Sequence, residues 1–182
     1  MTQKRTFAFL KPACDRTQSA IIAELQFAGF TVLREETRVL DIATLKEHYA
    51  HHVDKPFFQP MASYLTNGAS ILLILSREDE ADPVQSLRDL VGPTDPKKGE
   101  KEQIRCKYGA HLPDVIFMNA IHASGTPAEV EEEIARFFPD QILSPSGKIS
   151  QWQRKYTGND KLLAKRSLFF WFSGLFFPGF SL

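Results

Sequence analysis

Ser70-Ile71-Leu72-Leu73-Ile74-Leu75 is a continuous apolar run of strand length. A strand with one wet face alternates apolar and polar residues, whereas an unbroken run belongs to a strand covered on both faces. Asn67-Gly68 before the run reads as a turn, and Pro83 beyond it sits where a helix begins. The run is therefore expected at the centre of a sheet, and the rest of the chain must supply its neighbours and its cover.

Upstream, Phe7 to Leu10 reads as a short buried strand ended by Lys11-Pro12, because proline removes the next backbone donor. From Gln18, Ile21, Ile22, Leu25 and Phe27 fit a helix with Ala28-Gly29-Phe30 as its stop. Thr31 to Leu40 is rich in β-branched residues and reads as a strand, and Thr44 to Ala50 as a helix. Lys55-Pro56 opens another helix that buries Phe58, Met61 and Leu65. Downstream, Val84, Leu87, Leu90 and Val91 give the Pro83 helix an apolar stripe, and Gly92 to Lys101 is a polar loop. Val115-Ile116-Phe117-Met118 reads as the last strand, and Thr126-Pro127 opens a helix through Phe138, with proline at the tolerated first turn. The order β-α-β-α-α-β-α-β-α is α+β or α/β, and a ferredoxin-like split β-α-β arrangement fits it. The expected domain is 1–143, after which Ser144-Pro145-Ser146-Gly147 starts a C-terminal extension, 144–182.

At 182 residues the length suits one domain and a tail, and 22 basic residues balance 22 acidic ones. That balance gives no global field for nucleic acid and no solvating acidic chain. Cys14 and Cys106 are far apart and fit no metal spacing, so free thiols in a reducing compartment are expected. Met1-Thr2-Gln3-Lys4-Arg5 runs directly into the first strand, which makes a cytoplasmic protein the expectation.

The chemistry centres on Met118-Asn119-Ala120-Ile121-His122-Ala123-Ser124, with Glu133 three helical turns on. An imidazole fixed at the rim of a core is a candidate nucleophile or general base. Phe7-Ala8-Phe9-Leu10-Lys11-Pro12, Tyr49, Lys55-Pro56-Phe57-Phe58, Arg88, Gly92-Pro93-Thr94-Asp95-Pro96 and Ile104-Arg105 precede it in order. This ordered set, closing on Asn-x-x-His and covering roughly residues 5 to 140, resembles the nucleoside diphosphate kinase family. The resemblance implies the ferredoxin-like fold with an antiparallel four-stranded sheet.

It also implies phosphoryl transfer between two nucleotides that use one site in turn, through a ping-pong mechanism with His122 as the covalent carrier. Histidine suits that role because its unprotonated nitrogen is nucleophilic near neutral pH. Glu133 is the candidate orienter of the ring; on residue type alone it would read as part of an acidic face with Glu129, Glu131 and Glu132. Arg88 and Arg105 are the natural clamps on phosphate oxygens, and Thr94 can donate a hydroxyl. Lys11 ends a buried strand, where an ammonium is costly without an anion. The resemblance places Lys11 and Asn119 near the ribose hydroxyls and Tyr49 beside the histidine, with Mg2+ bridging phosphates rather than held in a protein cage. Phe57 is the candidate base platform; Phe58 should point into the core, although pattern alone allows either ring to be the buried one. His48, His51, His52 and His111 are not placed as a zinc set, and His51-His52 reads as solvated. The chain has neither Gly-x-x-x-x-Gly-Lys-Ser/Thr nor Gly-x-Gly-x-x-Gly.

The chain departs from the family in three places. Ala13-Cys14 stands where an aspartate is usual, and 110–114 looks like an insertion. His122-Ala123-Ser124-Gly125 replaces His-Gly-Ser-Asp, so a glycine's freedom and a carboxylate are lost. The tail from Ser167 is apolar and rich in Phe but shorter than a bilayer span and interrupted by Gly174 and Pro178. Membrane contact, docking on this or another protein, and a non-native or alternatively encoded end are the three readings of it. Nucleoside di- and triphosphates are the expected partners, with a homo-oligomer (hexamer or tetramer of dimers), and nucleic acid is not expected. The other functional reading is a weak or silent nucleotide-binding scaffold in a larger assembly, for example a ciliary one, with a ciliary or membrane-associated pool.

Overall fold

The computed structural model describes residues 4–12, 17–78, 82–109 and 117–139. Its elements are β1 (Arg5–Leu10), α1 (Gln18–Phe27), β2 (Thr31–Val39), α2 (Ile42–His48), α3 (Phe58–Thr66), β3 (Ala69–Ser76), α4 (Pro83–Val91), α5 (Ile104–Gly109), β4 (Ile121–Ala123) and α6 (Pro127–Phe137). The sheet order is β2-β3-β1-β4, every pair antiparallel, which is the ferredoxin-like α+β arrangement. The apolar run is central as expected, since β3 pairs with β1 on one side and β2 on the other.

Alternation along β1 divides the core. Ala8 and Leu10 face a cluster containing Ile21, Leu25, Leu73, Leu75, Leu87, Val91 and Ile104. Phe7 and Phe9 face the other way, against Phe137, with ring centroids 5.1 and 5.9 Å apart. The same rule acts in β4: Ile121 and Ala123 join the first cluster, so His122 between them points to the Phe9 side.

Helix starts follow local chemistry. Asp41 caps α2 by accepting from Thr44 N–H at 2.9 Å, so that helix begins two residues earlier than expected and stops at His48. Asp82 caps α4 through Val84 N–H at 3.0 Å, with Pro83 in the first turn. Thr126 Oγ1 accepts from Glu129 N–H at 3.2 Å and starts α6.

One expectation needs correction. The last strand is Ile121–Ala123; Phe117 and Met118 are not in a strand, and Val115 and Ile116 lie outside the described residues. The cause is a three-residue turn: Ile121 N–H donates to Asn119 O at 2.8 Å across Ala120, which has φ 70. Phe27 lies in α1 as expected and is 95% exposed, because it sits far around the helix from the Ile21–Leu25 face. The polar loop after Gly92 leads into a short helix, α5, that carries Arg105. The described elements form a compact unit ending at Phe137. The boundary expected at 143, the insertion at 110–114, Cys14, His111 and the tail lie outside the described residues.

Candidate active site

β4, α6, α2 and the end of β1 bring the key side chains together. His122 stacks on Phe9, its cross-strand partner, with centroids 4.7 Å apart and an interplanar angle of 19°. Its Nε2 lies 3.0 Å from Glu133 Oε1. Glu133 is not on a solvated face: it is 5% exposed and lies on the buried stripe of α6 with Val130, Ile134 and Phe137. The Ser124 hydroxyl donates to its other oxygen, Oε2, and Ser124 N–H is tied to Phe7 O at 3.1 Å. Both carboxylate oxygens are thus engaged, so the Glu133–His122 geometry is fixed from β1 and β4 together. His122 Nδ1 has no hydrogen-bond partner among the described residues.

His48 was not singled out by the sequence and stands at the centre of this cluster. Its side chain is 3% exposed, edge-on to His122 at 4.7 Å and 3.6 Å from Glu133 Oε1 through Nδ1. Burial, then the neighbouring His122, Arg136 and Lys11, holds its pKa well below the ordinary imidazole value. It is therefore a neutral ring at neutral pH. The spacing from buried Leu45, three residues earlier on α2, is the signal that would have placed it inward. Tyr49 packs edge-on to His48, at 4.3 Å, so His48 is its ring contact rather than His122. Burial and the Glu133 charge push the Tyr49 phenol up, which keeps it protonated.

The second group of residues lies around Asn119. The Lys11 ammonium, 5% exposed, donates to Phe117 O and to Asn119 Oδ1, each at 2.6 Å. Asn119 Nδ2 donates in turn to Thr94 O at 2.6 Å, linking the end of β1 to the loop after α4. Ala120, next in the chain, carries the left-handed φ noted above, a conformation that costs a non-glycine residue about 1–3 kcal/mol. Its carbonyl accepts from Lys11 N–H at 2.9 Å, so the ladder with β1 holds the turn that leads into His122.

Arg105 reaches back from α5 and donates to Ile121 O from Nε (3.1 Å) and Nη2 (3.0 Å), and to Gly92 O from Nη1 (2.9 Å). Burial, with Arg88 nearby, lowers its pKa to about 10, and it stays charged at neutral pH. Two guanidinium groups that repel one another beside the strand of a fixed imidazole are chemically suited to a multiply charged anion. Arg88, Thr94 and Phe57 are exposed, Phe57 at 40%, while Phe58 is fully buried. Of the other histidines, His51 and His52 are exposed, with the His52 ring 5.4 Å from Phe57. The described residues hold one group of three metal-ligating side chains, His48, His122 and Glu133. No described helix is long and apolar enough to cross a membrane.

A carboxylate-anchored imidazole with a free nitrogen beside paired guanidinium groups is the apparatus of a phosphotransferase. A profile of the nucleoside diphosphate kinases matches residues 4–143. The chain is 31% identical over 151 residues to a nucleoside diphosphate kinase of Thermococcus kodakarensis, covering 82% of this chain and 84% of that one. Among solved structures it is similar to the apo nucleoside diphosphate kinase of Encephalitozoon cuniculi, with a TM-score of 0.68, 25% identity and coverage of 82% and 99%. It is also similar to the Halobacterium salinarum nucleoside diphosphate kinase in complex with CDP, with a TM-score of 0.66, 30% identity and coverage of 76% and 90%. The chain belongs to the nucleoside diphosphate kinase family and is a phosphotransferase.

Proposed function

We propose that this protein is a nucleoside diphosphate kinase that works by double displacement through His122. The observation that carries the reading is the Nε2 anchor on Glu133, which leaves Nδ1 as the nucleophile. In the first half-reaction Nδ1 attacks the terminal phosphorus of a nucleoside triphosphate. The N–P bond forms as the bond to the β,γ-bridging oxygen breaks, and the diphosphate leaves with that electron pair. A second nucleoside diphosphate reverses the step and takes the phosphoryl group. Glu133 stabilises the positive charge that develops on the ring, and neutral His48 adds no competing cation.

Arg88, Thr94 and Arg105 act on the phosphates. Lys11 and Asn119 serve the ribose end, and Tyr49 backs the histidine pair through His48. Phe57 stacks on the base, a contact that tolerates any base. Mg2+ carried on the nucleotide phosphates would neutralise charge there. The three-residue group around His122 does not suit a resident Mg2+: two of its ligands are imidazoles, and both Glu133 oxygens are already engaged. A homo-oligomer built on β2 fits the surface. Phe27, Leu33, Val39 and Ile42 are exposed apolar residues on that edge strand or within a few residues of its ends.

The test is incubation with terminally labelled ATP and a chase with GDP. An acid-labile, alkali-stable phosphoprotein is expected to form and to vanish as labelled GTP appears. It should be absent in His122→Ala, which still binds nucleotide. A folded wild-type protein that binds ATP and takes no label would overturn the reading.

A further inference from the structure

We propose that Glu129 is a positioning residue for the phosphate clamp, its carboxylate lying beside the side-chain space that Gly125 leaves empty and drawing Arg88 toward the nucleotide. The proposal rests on the reading of Arg88 as a phosphate ligand. The turn after His122 ends at Gly125, whose N–H donates to Glu129 Oε2 at 2.8 Å. A Cβ on Gly125 would lie 2.8 Å from Glu129 Oε2, 3.3 Å from Oε1 and 3.4 Å from Arg88 Nη1. The carboxylate from α6 and the guanidinium from α4 thus converge on one point, which keeps them within about 6 Å of each other. No hydrogen bond or ion pair joins the two. The charge attracts Arg88 without using its donors, which stay free for phosphate oxygens. It also offsets the repulsion between Arg88 and Arg105.

A helix cap alone does not explain this arrangement. Thr126-x-x-Glu129 has the spacing of a capping box, and Thr126 Oγ1 does accept from Glu129 N–H. In that motif the glutamate returns to the N–H of the capping residue itself. Here it passes Thr126 and takes the N–H of Gly125, on the side where Arg88 lies. A carboxylate that residue 125 lacks in this chain is thereby supplied from one helical turn away.

Steady-state kinetics of the full chain with ATP and GDP, alongside thermal melting, test the assignment. Glu129→Gln keeps an acceptor for Gly125 N–H and removes the charge. It should raise KM for ATP about fivefold with kcat nearly unchanged, the scale of an exposed charge interaction. Thr126→Ala, which weakens only the cap, should lower Tm and leave KM alone. Gly125→Asp placed in Glu129→Ala should restore KM. A wild-type KM in Glu129→Gln, or an equal rise in Thr126→Ala, would overturn the proposal. Absence of phosphohistidine in the wild-type protein would instead strike at the functional reading on which it rests.

Discussion

The two halves of the site are held in opposite ways. Around His122 the carboxylate and the amide are held by fixed partners: Glu133 is engaged at both oxygens, and Asn119 bridges Lys11 and Thr94. Around Phe57, Thr94 and Arg88 the side chains are exposed. The buried half is set before substrate arrives, so under the proposed mechanism it would act on the rate of the chemical step. Under the proposed mechanism the exposed half would order on binding, act on affinity and tolerate different bases. Enzymes that accept several substrates of one chemistry gain from that division, because only the shared phosphoryl group meets rigid machinery.

The strongest way to break this division is Glu133→Gln. The amide still fits beside His122 Nε2, but the charge that stabilises the developing imidazolium is gone. The loss should appear in kcat, by about a hundredfold or more, with KM for ATP nearly unchanged. Rapid-quench measurement of phosphoenzyme formation reads the affected step directly. A loss that falls mainly on KM would mean the carboxylate serves binding, and the contrast between the halves would collapse. Phe57→Ala should do the reverse. Base stacking on an aromatic ring is worth about 1–3 kcal/mol, so KM should rise about tenfold while kcat at saturation holds. A comparable effect with purine and pyrimidine nucleotides would sharpen the point, since a ring face does not distinguish them.

The same division explains what could be read from the sequence. Ser70–Leu75 and Phe7–Leu10 announced the two central strands, because residues covered on both faces leave an unbroken apolar run. The final strand was misplaced because Val115–Met118 has the better strand composition. Its ladder position is taken instead by Ile121–Ala123, after a left-handed residue that no pattern marks at an alanine. The site residues were legible as an ordered set of types, and the structure gathers His122 with Glu133 and Lys11 with Asn119 and the Thr94 carbonyl. His48 and the reach of Glu129 past its own cap were not legible. Each depends on which way one side chain turns, and a histidine at a helix end or a glutamate in an acidic run reads first as solvated.

His48 supplies the smallest effect, through stability. Its pKa lies well below the ordinary imidazole value in the fold, chiefly from burial, while the unfolded chain takes up the proton near the ordinary value of about 6.5. As pH falls below that value the unfolded state binds more protons than the native one, so stability drops until the native ring also titrates. Above it, this residue contributes no pH dependence. The limiting slope for one proton is about 1.4 kcal/mol per pH unit. Urea midpoints taken between neutral and mildly acidic pH should fall in the wild-type protein and flatten in His48→Leu. That replacement fills the space among Phe9, Phe137 and Tyr49 with an apolar group that cannot titrate. Parallel curves for the two proteins would show that the ring is protonated as easily inside as outside. The buried half of the site would then be wetter than its side-chain burial indicates, and the contrast with the exposed half correspondingly weaker.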